Sequence, residues 1–438
     1  MTVKTTDQLA EQADVLNNPY DLDRLLSRTS TARVVLIGEA SHGTSEFYRW
    51  RAELTKRLIT EQGFGLVAVE GDWPDCHRLH CCVRGAPGAP NDPAAVLWGF
   101  QRWPRWMWGN EEVAEFARWL RELNTSELAG TVGPSYPVGF HGLDVYSLWD
   151  SLDAVVGYLR QHRPEHLKTA LAAARCFEPY REDPQAYAYA TRLVPEDCEQ
   201  EVVRLLSAAA ERNSGHGAGM DKDFVARQNA EVVAEAERYY RAMLRGGPDS
   251  WNIRDRHMMA TLHRLFDAYP QGTKAVVWAH NTHIGDARAT DMAAAGMVNI
   301  GQLAREELGQ GDVVLVGFGS HRGSVIASDT WGGPVQRKPV PAARGSSIEA
   351  ECHQALPGED ALWVFGDIGD ERWAGEVWDH RAIGVIYHPE REHRGNYVPT
   401  ILNRRYDAYI HCDNTQALAP LHPIEPARGE AETYPVGL

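Results

Sequence analysis

The stretch Arg33-Val34-Val35-Leu36-Ile37-Gly38-Glu39-Ala40-Ser41-His42-Gly43-Thr44 decides the fold. Its short run of β-branched and aliphatic residues has no polar alternation, the pattern of a strand buried on both faces. A helix then opens near Ser45, with Phe47, Trp50, Leu54 and Leu58 spaced three and four apart as its buried stripe. Gly63 ends that helix, as a glycine past the last turn commonly does. A second apolar run, Leu66-Val67-Ala68-Val69, follows and closes on Glu70. A strand, a crossover helix and a strand predict a parallel pair joined right-handedly. Ligands of such sheets bind outside the carboxyl ends of the strands. Glu39, His42 and Glu70 are therefore expected to share that edge, which points to an enzyme.

Further along, residues 137–140 form a third predicted strand that leads to His141, Gly142 and Asp144. Residues 151–268 contain no convincing strand. Leu152, Val155, Val156 and Leu159, then Val202, Val203, Leu205 and Leu206, then Val232, Val233, Tyr239, Tyr240 and Met243 recur at helical spacing. Strands return at 274–279, 313–318, 361–365, 382–387 and 407–411. The first of these, Ala275-Val276-Val277-Trp278-Ala279, delivers His280 and His283. The expected architecture is a three-layer α/β/α fold with a mostly parallel sheet and a large helical insertion. Residues 1–150 form the N-terminal part of the α/β core, 151–268 the insertion, 269–423 the C-terminal part and 424–438 a poorly packed tail.

Composition narrows the class. An apolar share of 43% and 14 Trp supply a sizeable core for 438 residues. The formal charge of -16, from 44 basic and 60 acidic residues, argues against nucleic acid and against an anionic membrane surface. No apolar run approaches the roughly eighteen residues of a membrane span, and residues 1–18 hold no apolar signal core. The 7 Cys are odd in number and lack CxxC spacing, so reduced thiols and a cytoplasmic location are expected. Cys76, Cys81 and Cys82 read as small core residues.

Acyl hydrolysis needs a base for water, donors for the developing oxyanion and a group that orients the base. His42 suits the base, because imidazole titrates near neutrality. Either Glu39 or Glu70 would fix its tautomer, as the acid of a triad does. Arg51, about two turns into the following helix, would stabilise a carboxylate or an oxyanion. His280 or His283 would donate to the leaving group. Trp73, Trp106 and Trp108 are candidates for an apolar substrate wall. Arg254, in Trp251-Asn252-Ile253-Arg254-Asp255, and His321, in Gly319-Ser320-His321, are further candidates for substrate binding.

Two rival chemistries use the same edge. Ser41 sits in an elbow-like turn, but Glu39 occupies the position where a nucleophile elbow needs glycine. The Glu and His set offers metal ligands, yet no HExxH or dense Asp/His cluster appears, so neither a metal nor another cofactor is expected. A protein that binds a polyketide or envelope glycan without turning it over is the reading from another class.

Taken together, these residues resemble the erythromycin esterase family, including its succinoglycan-biosynthesis-like members. The resemblance rests on Gly38-Glu39-Ala40-Ser41-His42-Gly43-Thr44 with Glu46-Phe47, Arg51, Gly63-Phe64 and Val69-Glu70-Gly71-Asp72-Trp73. It continues through Trp251-Asn252, Arg254-Asp255, Ala279-His280-Asn281-Thr282-His283-Ile284-Gly285 and Gly384-Val385-Ile386-Tyr387. It implies hydrolysis of a small-molecule ester or lactone by activated water, with no covalent intermediate and no metal. His42 would be the base, and Glu39, Arg51, Glu70, His280 and His283 would complete the site. Macrolide ring opening is the activity of the family's resistance enzymes. The Trp-rich loop and the extended Val69-Glu70-Gly71-Asp72-Trp73-Pro74-Asp75 look more like the housekeeping branch.

Overall fold

The computed structural model describes residues 5–126, 130–180, 187–190, 198–210, 222–243, 245–366 and 371–423. Its strands are β1 (Asp14–Val15), β2 (Val34–Ile37), β3 (Phe64–Asp72), β4 (Gly139–Asp144), β5 (Lys274–Trp278) and β6 (Val313–Ser328). They continue with β7 (Val335–Val340), β8 (Ala361–Val364), β9 (Val377–Arg381), β10 (Tyr397–Ile401) and β11 (Ala408–Thr415). The main sheet runs β1-β8-β11-β6-β2-β5-β3-β4, with β7 paired to the far half of β6. From β11 to β4 every pairing is parallel, while β1, β7 and β8 pair antiparallel. Strands β9 and β10 form a separate hairpin-like pair.

Successive residues of the central strands feed opposite faces, as the pleat requires. Val35, Ile37, Val67, Val69, Val276 and Trp278 pack with Phe47, Leu54 and Leu58 of the helix Ser45–Gln62 and with Phe116 of the helix Glu111–Thr125. Val34, Leu36, Leu66, Ala68, Ala275 and Val277 pack with Met258, Leu262 and Leu265 of the helix Asp249–Ala268, and with the helix Ile300–Leu308. Helices cover both faces of a mostly parallel sheet, so the chain is a three-layer α/β fold. Gly63 adopts φ 72 as the C-cap of the first crossover helix, a conformation that favours glycine.

Helices between Leu148 and Met243 build a separate apolar cluster from Leu152, Val155, Leu159, Phe177, Leu205, Val233, Tyr239 and Tyr240. Of the positions expected in it, Val203 is exposed. Several local expectations need correction. Residues 382–387 are not a strand: they make only isolated bridges, Ile383 to Ser41 and Ile386 to Ser328. Strand β6 does not stop at 318. Gly319 sits inside it, where a Cβ would strike Tyr409 Oη at 1.9 Å, so this glycine serves close packing rather than a turn. Cys176 and Cys198 are joined in a disulfide rather than reduced, with Cα atoms 6.0 Å apart. The expected tail, 424–438, lies outside the described residues. Among the described residues no helix is long and apolar enough to cross a membrane.

Candidate active site

Strand order explains why distant segments meet. β2, β5, β3 and β4 are neighbours, and each releases ionisable groups beyond its carboxyl end. β2 is followed by Glu39 and His42, β5 by His280 and His283, while β3 carries Glu70 and β4 carries Asp144. Asn281 ties the exits together. Its backbone N–H donates to Glu39 O at 2.9 Å, its Nδ2 donates to Phe318 O at 2.6 Å, and its Oδ1 accepts from Phe318 N–H at 3.2 Å. The amide presses so close to Gly38 that a Cβ there would meet Asn281 Oδ1 at 2.1 Å.

One half of the site centres on His42. Its Nδ1 lies 2.9 Å from Glu39 Oε1. The other oxygen of Glu39, Oε2, lies 3.4 Å from Arg51 Nη2. Arg51 is fully buried, with its guanidinium carbon 4.3 Å from the Tyr48 ring centroid and 4.9 Å from that of Trp278. A buried guanidinium needs a counter-charge, and Glu39 and the ring faces provide it. The His280 ring sits 4.8 Å from that of His42. His280 Nδ1 accepts from Thr282 N–H at 3.3 Å and lies 2.9 Å from Thr282 Oγ1, which leaves the ring proton on Nε2; that nitrogen is buried, with the backbone of Ala40 beside the ring. Burial, then the charge of His42, depresses its pKa well below the imidazole range and keeps the ring neutral.

The other half centres on Glu70. Its Oε2 accepts from His280 N–H at 2.8 Å and its Oε1 from Arg254 Nη2 at 2.7 Å. Arg254 also binds Asp144 through Nε at 2.9 Å and Nη2 at 2.7 Å, a fork that suits a planar guanidinium. His283 Nδ1 faces Asp255 Oδ2 at 2.9 Å, its Nε2 lies 3.4 Å from Glu70 Oε1, and its ring stacks on Trp251 at 4.4 Å. Burial alone would raise Glu70, but His283, Arg254 and His42 hold it well below the carboxylate range. Burial would lower His283, but Asp255 and Glu70 outweigh it and raise the pKa to about 9. Arg254 Nη1, 2.9 Å from His283 Nε2, would suit a neutral ring. Asp255 and Glu70, one at each ring nitrogen, favour the charged ring, whose Nε2–H then turns to Glu70.

All six residues expected to be catalytic thus meet at one edge. Glu39, not Glu70, is the partner of His42, and Arg51 stabilises a carboxylate. The residues expected to bind substrate divide. Arg254 is taken up by Glu70 and Asp144. Trp108 Nε1 donates to Glu70 O at 2.9 Å. Trp73 is buried, stacked on His77 and His141, and Trp106 packs in the core. His321 stacks on His353 at 3.8 Å. The contacts of these last three lie outside the cluster, because their rings fill helix and sheet seams. Ser41 pairs its hydroxyl with Thr44. Asp144 and Asn281 belong to the site although spacing assigns them no role; Asp144 has the same strand-end signature as Glu70. Among the described residues no three His, Cys, Asp or Glu side chains are grouped to hold a metal.

The chain is similar in structure to a succinoglycan biosynthesis protein, at 20% identity and TM-score 0.76 over 95% of this chain and 98% of that one. A Bacillus cereus protein matches at 18% identity and TM-score 0.78, over 96% and 100%. A mutant erythromycin esterase, EreC, in its open conformation matches at 17% identity and TM-score 0.62, over 97% and 100%. At such identities the likeness concerns the fold. The sequence model of the erythromycin esterase family matches residues 59–415, a span that includes Glu70, His280 and His283 and begins after Glu39, His42 and Arg51. With most of its length inside that match, the chain belongs to the erythromycin esterase family.

Proposed function

We propose that the protein hydrolyses a carboxylic ester or lactone of a small molecule, using water activated by His42. The observation that carries this reading is the 2.9 Å contact between His42 Nδ1 and Glu39 Oε1. An Nδ1–H held by a carboxylate leaves the basic lone pair on Nε2, the arrangement a general base requires. Nε2 takes a proton from water as the oxygen attacks the carbonyl carbon. The carbonyl π pair moves to oxygen, where His280 Nε2–H donates to the developing charge. When the tetrahedral intermediate collapses, the C–O bond to the alcohol breaks and His42 returns its proton to the leaving oxygen. Arg51 sits beside Glu39, and Glu70 with Arg254, Asp144, His283 and Asp255 holds the backbone of His280 in place.

Both imidazoles are only 4% exposed, so turnover requires the surrounding chain to open. Exclusion of water strengthens each of these electrostatic contacts. Family membership supports an ester hydrolase, and the Ser41–Thr44 pair supports water rather than serine as nucleophile. A macrolide is one substrate class within this reading, and a cytoplasmic location is part of it. Incubation with a panel of macrolides, simple lactones and acyclic esters, read by mass spectrometry, tests it. At least one compound should gain the mass of one water. No gain across the panel, with unchanged ligand bound, would favour a non-catalytic binder.

A further inference from the structure

A cavity of about 650 Å³ lies in the seam between the α/β body and the helical insertion. Its walls come from the helix Trp73–Val83 and the turn after it, the helix Leu148–His162 and the first turns of the helix Lys222–Met243. None of the residues that line it belongs to the His42 or Glu70 clusters. We infer that this cavity binds a small hydroxylated organic anion, of the size of a phosphorylated or carboxylated sugar.

The charge of the lining is the first argument. In a chain of net charge -16, no Asp or Glu among the described residues lines this cavity, whereas Arg84 and Lys222 do. Arg84 reaches only His80 Nε2, at 3.4 Å. Among the described residues neither Arg84 nor Lys222 has a carboxylate in ion-pair contact. Asp223, beside Lys222, has its two oxygens taken by Tyr158 Oη at 2.5 Å and Arg163 Nη2 at 3.1 Å. Two cations with no carboxylate partner among the described residues describe a site for an anion.

The second argument is independent of charge. Asn229 lines the cavity and is 3% exposed. Its Nδ2 donates to Val225 O at 2.8 Å, which fixes the amide and leaves Oδ1 buried without a donor. Buried carbonyl oxygens are rarely left so, and a ligand hydroxyl would satisfy this one. The third is the wall. The His77 and His80 rings lie 5.7 Å apart and nearly parallel, and His77 stacks on Trp73 at 6.1 Å. Burial lowers the pKa of both imidazoles, so they offer flat, uncharged faces against which the C–H face of a sugar packs. Volume, cations, an acceptor and a ring wall together match the general make-up of small-molecule sites.

Titration calorimetry of the full chain with glucose 6-phosphate, glucuronate, glucose and inorganic phosphate tests the proposal. At least one sugar anion should bind, and glucose and inorganic phosphate should each bind roughly tenfold or more weakly. Tighter binding of glucose 6-phosphate would assign a phosphate ester to the site, and tighter glucuronate a carboxylate. The pair R84Q/K222Q should weaken binding roughly thirtyfold with an unchanged melting temperature. Because Lys222 is exposed, Lys222→Glu alone cannot unfold the chain and should weaken binding at least about tenfold. No binding by either sugar anion at about 10 mM would overturn the proposal, as would affinity unaltered in K222E, which would put the anion elsewhere.

Discussion

Around Glu70, polar contacts are dense: Arg254 reaches Glu70 and Asp144, Asp255 backs His283, and the backbone N–H of His280 donates to Glu70. Around Glu39, a few residues away along the same edge, contacts are sparse. Glu39 holds His42 through one oxygen and meets Arg51 at 3.4 Å through the other, while His280 Nε2 has no side-chain partner among the described residues. The dense half is built to stay fixed, because a buried charge network with its partners present resists rearrangement. The sparse half keeps hydrogen-bonding capacity in reserve, which a reacting carbonyl can use. Removing a residue from the first half should therefore appear in stability, and from the second half in turnover.

Arg254→Leu should expose this contrast most strongly. It leaves Glu70 and Asp144 buried without their cation, and removing one partner of a buried pair typically costs about 3–5 kcal/mol. Urea unfolding should register that loss. Glu39→Gln should instead spare the unfolding midpoint more than it spares kcat, which should fall about a hundredfold as the His42 tautomer is no longer fixed. Equal losses of stability in both variants would erase the distinction between the halves.

A pH series sharpens it. His283 is raised from 6.5 to about 9, so the folded chain binds its proton more tightly than the unfolded one. That contribution is complete below about pH 6.5 and is lost as pH rises through about 9. Stability should fall by roughly 2–3 kcal/mol across that window, and His283→Asn should flatten the fall. The smallest effect belongs to Ser41→Ala. Losing its hydroxyl pair with Thr44 should cost about 1 kcal/mol of stability, and kcat should stay within about twofold.

The sequence made the edge legible because buried parallel strands announce their own ends. Glu39, His42, Glu70, His280 and His283 each follow an uninterrupted apolar run, and all five meet. Pairing within the edge was not legible. Whether Glu39 or Glu70 orients His42 depends on the insertion of β5 between β2 and β3, and no local pattern encodes strand order. Asp144 and Arg254 are 110 positions apart, so their fork could not be read from spacing. Gly319 and Gly323 interrupt the apolar run after Phe318, so the outer half of β6 carries no strand pattern. The apolar run 382–387 looked like a strand, yet it is held by single bridges at Ile383 and Ile386. Trp73, Trp106 and His321 have the composition of a binding wall, but burial against neighbouring rings takes them away from the cluster.

The central claim is that the imidazole of His42 removes the proton from water. It is tested by single-turnover hydrolysis with His42→Ala, at matched circular dichroism and melting temperature, with and without added imidazole. The account predicts a loss of at least about a thousandfold that exogenous imidazole partly restores. Turnover within about threefold of the parent chain would contradict it.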